Sequence, residues 1–266
     1  MSEDIDLWGK HLLERLQDKE ATENHRYFNL CLDEFAGRTK RNQDAWIVVT
    51  GDTGMGKTTL SLGGSLITNQ PGYDVKFDWD NICYSLTDLP DIIERATSEE
   101  ANSYVIDEAM DVADASSFMT RLNREMRKVG TKLRKKRNIY WWCIPDFMAL
   151  DPGIRNRLVK WWFHIFWQSD HKERSERYAI AAFFRKDMNP FQTDKWGLSD
   201  VKTMRKGITD HVTLMRYLRK IRSFVSFVAF PILPSVIEEK YESRSKMALA
   251  ETGREFKANF GKKGDL

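Results

Sequence analysis

One stretch constrains the fold of this chain more than any other: an apolar run at residues 45–50 followed by a glycine-rich turn. From Gly51 to Thr58 the turn fits G-x-x-x-x-G-K-[ST], a pattern typical of a phosphate-binding loop between a strand and a helix. Glycines let consecutive backbone N–H groups point at phosphate oxygens, and the helix N-terminus adds a positive end. A chance match in an ordinary glycine-rich turn is the alternative.

The loop predicts a nucleoside triphosphate site that binds ATP and Mg²⁺. Lys57 is expected to reach the β- and γ-phosphates, and the Thr58 hydroxyl is expected to bind Mg²⁺. The predicted nucleotide-binding residues are Gly51, Asp52, Thr53, Gly54, Met55, Gly56, Lys57, Thr58 and Thr59.

A second apolar run, residues 103–106, ends in the acidic pair Asp107 and Glu108. A phosphate loop requires such a companion strand. Asp107 is expected to hold Mg²⁺ through water, and Glu108 to polarise the attacking water. An ordinary acidic strand end is the alternative. The two adjacent carboxylates argue against a small-molecule kinase, which transfers a phosphoryl group to a bound hydroxyl.

Residues 116–137 combine one apolar stripe at helical spacing with an excess of positive charge. The basic residues are Arg121, Arg124, Arg127, Lys128, Lys132, Arg134, Lys135, Lys136 and Arg137, opposed only by Glu125. Such an excess favours an anionic partner, for which we expect DNA phosphate; a solvated helix face is the alternative. Arg134 is predicted to act on the nucleotide of a neighbouring subunit, with Arg137 or Arg155 as substitutes.

The remaining chain predicts an α/β fold. The helix after the loop should reach about Thr68, and the adjacent Gly63 and Gly64 indicate a close packing contact there. A buried strand over residues 138–144 is closed by Pro145-Asp146, where Asp146 is either a nucleotide-sensing residue or a turn residue. Two aromatic runs, residues 161–167 and 178–184, should form a hairpin whose aromatics belong to the core.

We therefore predict a mostly parallel sheet flanked by helices, with an added β-hairpin. Its parts are an N-terminal helical lead-in (1–44), the ATPase core with the hairpin (45–235), and a C-terminal helix with a basic tail (236–266). Cys31, Cys83 and Cys143 are expected to be buried, reduced thiols. With neither a signal-peptide pattern nor an apolar run long enough to span a membrane, a cytoplasmic protein is expected, in the host cytoplasm if it is viral.

From about residue 45 to 170 the chain resembles a known group, the zonula occludens toxin-like ATPases of archaea and their viruses and plasmids. This group lies in the FtsK/HerA branch of additional-strand P-loop NTPases. The resemblance rests on Gly51–Thr59, on Ile106-Asp107-Glu108-Ala109 and on the run from Arg137 to Asp146. It implies a RecA/FtsK-like core of five mostly parallel strands and a hexameric ring that moves or packages DNA. Many members carry a glutamine where this chain has Ile144-Pro145-Asp146.

The expected activity is Mg²⁺-dependent ATP hydrolysis that drives DNA translocation or genome packaging by a ring-forming homo-oligomer of a virus or other mobile element. Double-stranded DNA is the expected partner, together with a portal or membrane-associated protein. The main alternative is an assembly or secretion factor in which ATP switches a protein interface without moving DNA. A small-molecule phosphotransferase is a further alternative.

Overall fold

The computed structural model describes residues 7–12, 14, 22–85, 88–107, 136–170, 172–173, 177–189, 191–199 and 210–261. The strands are β1 (Ala45–Thr50), β2 (Ile82–Cys83), β3 (Ser103–Asp107), β4 (Ile139–Cys143), β5 (Trp161–Gln168), β6 (Tyr178–Arg185) and β7 (Phe224–Pro231). They form one sheet in the order β2-β3-β4-β1-β5-β6-β7. All neighbouring pairs within β1 to β5 are parallel, whereas the pairs β5-β6 and β6-β7 are antiparallel. The predicted mostly parallel sheet and the predicted hairpin, β5-β6, are confirmed.

Helices cover both faces of this sheet. They are α1 (Thr22–Lys40), α2 (Lys57–Thr68), α3 (Leu89–Ser98), α4 (Pro152–Arg157), α5 (His211–Leu218) and α6 (Ser235–Gly261), and residues 7–12 are also helical. Apolar residues of α1, α2 and α6 share one core with the sheet, and those of α3, α4 and α5 share the other. Within the described residues, no helix is both long and apolar enough to cross a membrane.

The central strands β1 and β4 are buried along their whole length because helices cover both of their faces. Alternate residues therefore enter different cores. On one face Trp46 stacks on Trp142, with ring centroids 5.6 Å apart. On the other face Phe35 of α1 packs 5.7 Å from Trp141 and 4.6 Å from Trp161. The prediction that the strand aromatics form core is confirmed, and Cys31, Cys83 and Cys143 are buried thiols outside any disulfide, as expected.

The sequence pattern predicts a short helix over residues 27–35 that ends near Gly37. Helix α1 is longer than this prediction at both ends. A β-carbon at Gly37 would meet only the guanidinium of Arg41, at 3.5 Å, so nothing forces the helix to stop there. It continues to Lys40 and ends before Asn42, which has a φ of 56°.

Helix α2 lies unusually close to the sheet. A β-carbon placed on Gly64 would approach Trp141 Cζ2 to 2.4 Å, so only glycine fits over this ring. On the same side of the helix the Ser61 hydroxyl lies 3.1 Å from Cys143 Sγ, and the Ser65 hydroxyl lies 2.8 Å from that of Ser103 in β3. The sequence expectation of a close contact is thus met at Gly64. At Gly63 a β-carbon would only touch Leu233, at 3.9 Å.

Gly64→Ala is expected to lower the free energy of unfolding by about 1–3 kcal/mol, because a well-packed indole must move to admit the methyl group. Gly63→Ala is the matched control: it adds the same methyl group in ordinary contact and improves helix propensity by up to about 1 kcal/mol. Urea unfolding of both variants measures the difference. Equal stability of the two variants would contradict the packing argument.

Candidate functional site

The predicted phosphate loop leaves the sheet at the end of β1 and turns back into α2 over Gly51 to Gly56. Two of its glycines are required by geometry. A β-carbon on Gly51 would lie 2.7 Å from the carbonyl oxygen of Ile165, and Gly56 caps α2 with a φ of 93°, in the left-handed region. The predicted residues Asp52, Thr53 and Gly54 are exposed, so the loop faces solvent at the carboxyl edge of the parallel strands.

Lys57 begins α2, and its side chain folds back over the loop. Its ammonium donates hydrogen bonds to the carbonyl oxygens of Gly51, at 2.8 Å, and Asp52, at 3.2 Å. The positive charge of Lys57 is therefore held against the backbone of the loop. Lys57 and the helix N-terminus together place positive charge where an anion would approach.

Thr58, the second residue of α2, meets the second predicted motif directly. Its hydroxyl donates to Asp107 Oδ2 at 2.6 Å. Asp107 ends β3 and lies level with Val49 across β4, because both residues pair with Cys143. Two sequence motifs 49 residues apart are thus brought together as a hydroxyl–carboxylate pair beside the loop. Asp107 is almost fully buried, with 1% of its surface exposed.

The sequence did not identify a third member of this cluster, Tyr241 of α6. Its hydroxyl donates to Asp107 Oδ2, the oxygen that also accepts from Thr58. No local motif surrounds Tyr241. The only signal was its place four residues after Ile237 on the buried side of a helix, and that spacing indicates packing rather than chemistry.

Behind the loop, Thr50 connects β1 to His164 of β5. The Thr50 hydroxyl oxygen accepts from Trp162 Nε1 at 2.7 Å and lies 3.0 Å from His164 Nδ1. The hydroxyl also lies 3.4 Å from the carbonyl oxygen of Phe163, so this oxygen and Nδ1 are both within reach of its proton. Burial lowers the pKa of His164 below its usual range, while the carboxylates of Asp52 and Asp146 oppose that shift.

Asp146, the predicted sensor candidate, serves as a turn residue in this structure. Its carboxylate accepts from Met148 N at 2.8 Å and begins the short 3-10 helix Phe147–Ala149. This is the alternative that the Pro-Asp sequence left open. A sensing role for Asp146 stays untested.

Arg155, a predicted substitute for Arg134, lies against residues of its own chain, and its role at a subunit boundary stays a prediction. It is 8% exposed, its guanidinium carbon lies 5.6 Å from the Phe147 ring centre, and it donates to Met148 Sδ at 3.3 Å. Burial lowers its pKa. Arg137 precedes β4 and thus lies at the edge of the sheet opposite the loop, where its guanidinium is 3.9 Å from Glu100.

Residues 108–135 lie outside the described residues. They include Glu108, Arg134 and most of the basic segment. Their roles stay predictions from the sequence. Within the described ranges, no three His, Cys, Asp or Glu side chains form a group that could hold a metal ion. Mg²⁺ takes one or two protein oxygens and completes its shell with phosphate and water. Thr58 and Asp107 offer such oxygens.

No known protein-family model and no curated protein matches this sequence.

The lowered pKa of His164 predicts a pH dependence of stability. Because the fold disfavours the protonated ring, the unfolded chain binds the proton more readily, and the free energy of unfolding should fall as pH drops below about 6.5. His164→Gln, which stays neutral, should show a smaller decline between pH 7.5 and 5.5 in urea unfolding. His211→Gln is the control, because that ring is exposed. Identical declines in the wild type and His164→Gln would contradict the assignment.

Proposed function

We propose that this chain is a Mg²⁺-dependent ATPase of the additional-strand P-loop class. One observation carries the proposal: the loop, the Lys57 ammonium and the Thr58–Asp107 pair converge at one edge of the sheet. The loop, Lys57 and Thr58 are contiguous in the chain, whereas Asp107 comes from a separate strand, 49 residues after Thr58. Their convergence is what binding a metal–triphosphate complex requires.

The strand order supports the same class. Strand β4 lies between β1, which leads into the loop, and β3, which ends in Asp107. The resemblance implies an additional-strand core, and β4 is a strand placed between these two. The sequence resemblance to the FtsK/HerA branch implied a five-stranded parallel core, and β1 to β5 form such a core in the order β2-β3-β4-β1-β5.

The chemistry assigned to the residues follows from their positions. Backbone N–H groups of the loop and the Lys57 ammonium would bind the phosphates, and Thr58 with Asp107 would hold Mg²⁺. When bound, Mg²⁺ neutralises charge on the phosphate oxygens. Glu108 follows Asp107 directly in the chain and is proposed to take a proton from the attacking water.

The wider function that we propose is DNA translocation or genome packaging by a homo-oligomeric ring, with double-stranded DNA bound by the basic segment. Arg134 is the proposed arginine that acts on a neighbour's nucleotide, since Arg155 is enclosed within its own subunit. A portal or membrane-associated protein is the proposed further partner. The basis for this wider function is the sequence resemblance and the charge of residues 121–137.

Lys57→Ala and Glu108→Gln should fail in different ways. Lys57→Ala should lose ATP binding and turnover, because it removes the charge that faces the phosphates. Glu108→Gln should keep binding and hydrolyse ATP ~10²-fold more slowly, as expected when a general base is lost. Binding of a fluorescent ATP analogue and phosphate release measure the two steps. Lys76→Ala, an exposed lysine away from the loop, is the control. Normal hydrolysis by Lys57→Ala would disprove the phosphate-loop assignment.

A second function, an ATP-driven switch of a protein interface, is favoured by a different observation. The C-terminal helix α6 contacts Asp107 through Tyr241, so the proposed metal site is joined to an element that extends to Gly261. A binding event at the site would then bias the position of a long surface helix. DNA is not needed for that activity.

Added DNA should separate the two functions. A translocase is expected to hydrolyse ATP several-fold faster with double-stranded DNA, and the stimulation should weaken steeply between about 50 and 200 mM salt. Measurements of phosphate release with and without DNA, beside the mass of the particle in solution, test this expectation. A monomer whose turnover ignores DNA at low salt would favour the interface switch.

A further inference from the structure

Two hydroxyl groups from distant parts of the chain donate to the same carboxylate oxygen. Thr58 of α2 and Tyr241 of α6 both donate to Asp107 Oδ2. Two donors on one oxygen restrict rotation of the carboxylate about its Cβ–Cγ bond. A single donor would leave that rotation less restricted.

Packing places the Tyr241 ring independently of its hydroxyl bond. Ile237 and Ser245, one turn before and after it, are buried and fix the rotation of α6 against the core. The ring lies 5.5 Å from that of Tyr84, centroid to centroid. Removing the hydroxyl oxygen alone should therefore leave the ring where it is.

Charged residues hold the outer flank of the same helix. Lys240 Nζ lies 4.9 Å from the Trp79 ring centre, and the Arg244 guanidinium donates to Asp80 Oδ1 at 3.1 Å. Both contacts lie on the segment that leads into β2. The first turns of α6 are thus attached to the fold on either side of Tyr241, and these contacts fix the position of its hydroxyl.

We propose that Tyr241 is a positioning residue for the metal-binding carboxylate, an inference that rests on the proposed function. Its hydroxyl and that of Thr58 fix the plane of the Asp107 carboxylate. The carboxylate then already has the orientation in which it would bind the Mg²⁺ shell. Tyr241 itself touches neither nucleotide nor metal. Its effect should therefore appear in metal affinity and not in nucleotide affinity measured without metal.

Tyr241→Phe in the full chain tests the proposal. The dissociation constant for Mn²⁺, a paramagnetic substitute for Mg²⁺, is measured in the presence of ADP from the EPR signal of the free ion. It should rise about tenfold, as expected for the loss of one hydrogen bond to a charged group. Binding of ADP in EDTA should be unchanged, and the Mg²⁺ midpoint of ATP turnover should rise in parallel.

Tyr104→Phe is the matched control. It removes a tyrosine hydroxyl that also lies near a carboxylate, 3.3 Å from Glu99 Oε2, but on the other face of β3. This variant should bind Mn²⁺ as the wild type does. Circular dichroism of each variant establishes that it is folded.

The outcomes separate the two hypotheses. If wild type and Tyr104→Phe bind Mn²⁺ with ADP and Tyr241→Phe binds it equally well, the positioning role is wrong while the proposed site stands. The same conclusion follows if Tyr241→Phe weakens ADP binding in EDTA to the same extent as Mn²⁺ binding. If the wild type binds neither ADP nor Mn²⁺, the proposed function itself fails.

Discussion

The candidate site depends on how closely α2 approaches the sheet. Gly64 allows this approach, since any β-carbon there would overlap the Trp141 ring of β4. The helix then lies low enough for the Ser61 hydroxyl to reach Cys143. One turn earlier, the same approach brings Thr58 within 2.6 Å of Asp107. A displacement of α2 by one ångström would break that hydrogen bond, because donor and acceptor would then be beyond about 3.2 Å.

The inserted strand β4 makes this crossing necessary. It places β3 two strands from β1, so Asp107 is about 10 Å from the strand that leads into the loop. A loop that simply returned over β1 would leave the carboxylate out of reach. Helix α2 instead crosses β4 toward β3, where the Ser65 hydroxyl bonds to Ser103 at 2.8 Å. The hydroxyl-bearing first turn of the helix spans the distance that the extra strand creates.

The sequence predicted those parts of the site whose geometry is local. Gly51 to Thr58 fix a loop within a few residues, and a strand that ends in Asp107 predicts where its carboxylate lies. Tyr241 could not be found in this way, because its contact spans 134 residues and depends on the rotation of α6. The burial of Arg155 was not predicted for a related reason: basic residues are usually exposed, yet this one is enclosed against Phe147. Residues 73–81 are mostly irregular, and Asp78 caps a 3-10 turn before β2.

Under the proposed function, the contact between Tyr241 and Asp107 couples the nucleotide site to the outside of the molecule. Binding free energies are reciprocal: if the position of α6 changes metal affinity, then metal binding must change the position or the stability of α6 by the same free energy. Lys240 and Arg244 hold this helix on Trp79 and Asp80, and solvent weakens the exposed ion pair between Arg244 and Asp80. A partner that removed either side chain from its contact with Trp79 or Asp80 would make the position of the Tyr241 hydroxyl less fixed. Interface switching would use this coupling through a partner on the surface of α6, whereas translocation would add DNA bound by the basic segment to the same nucleotide chemistry.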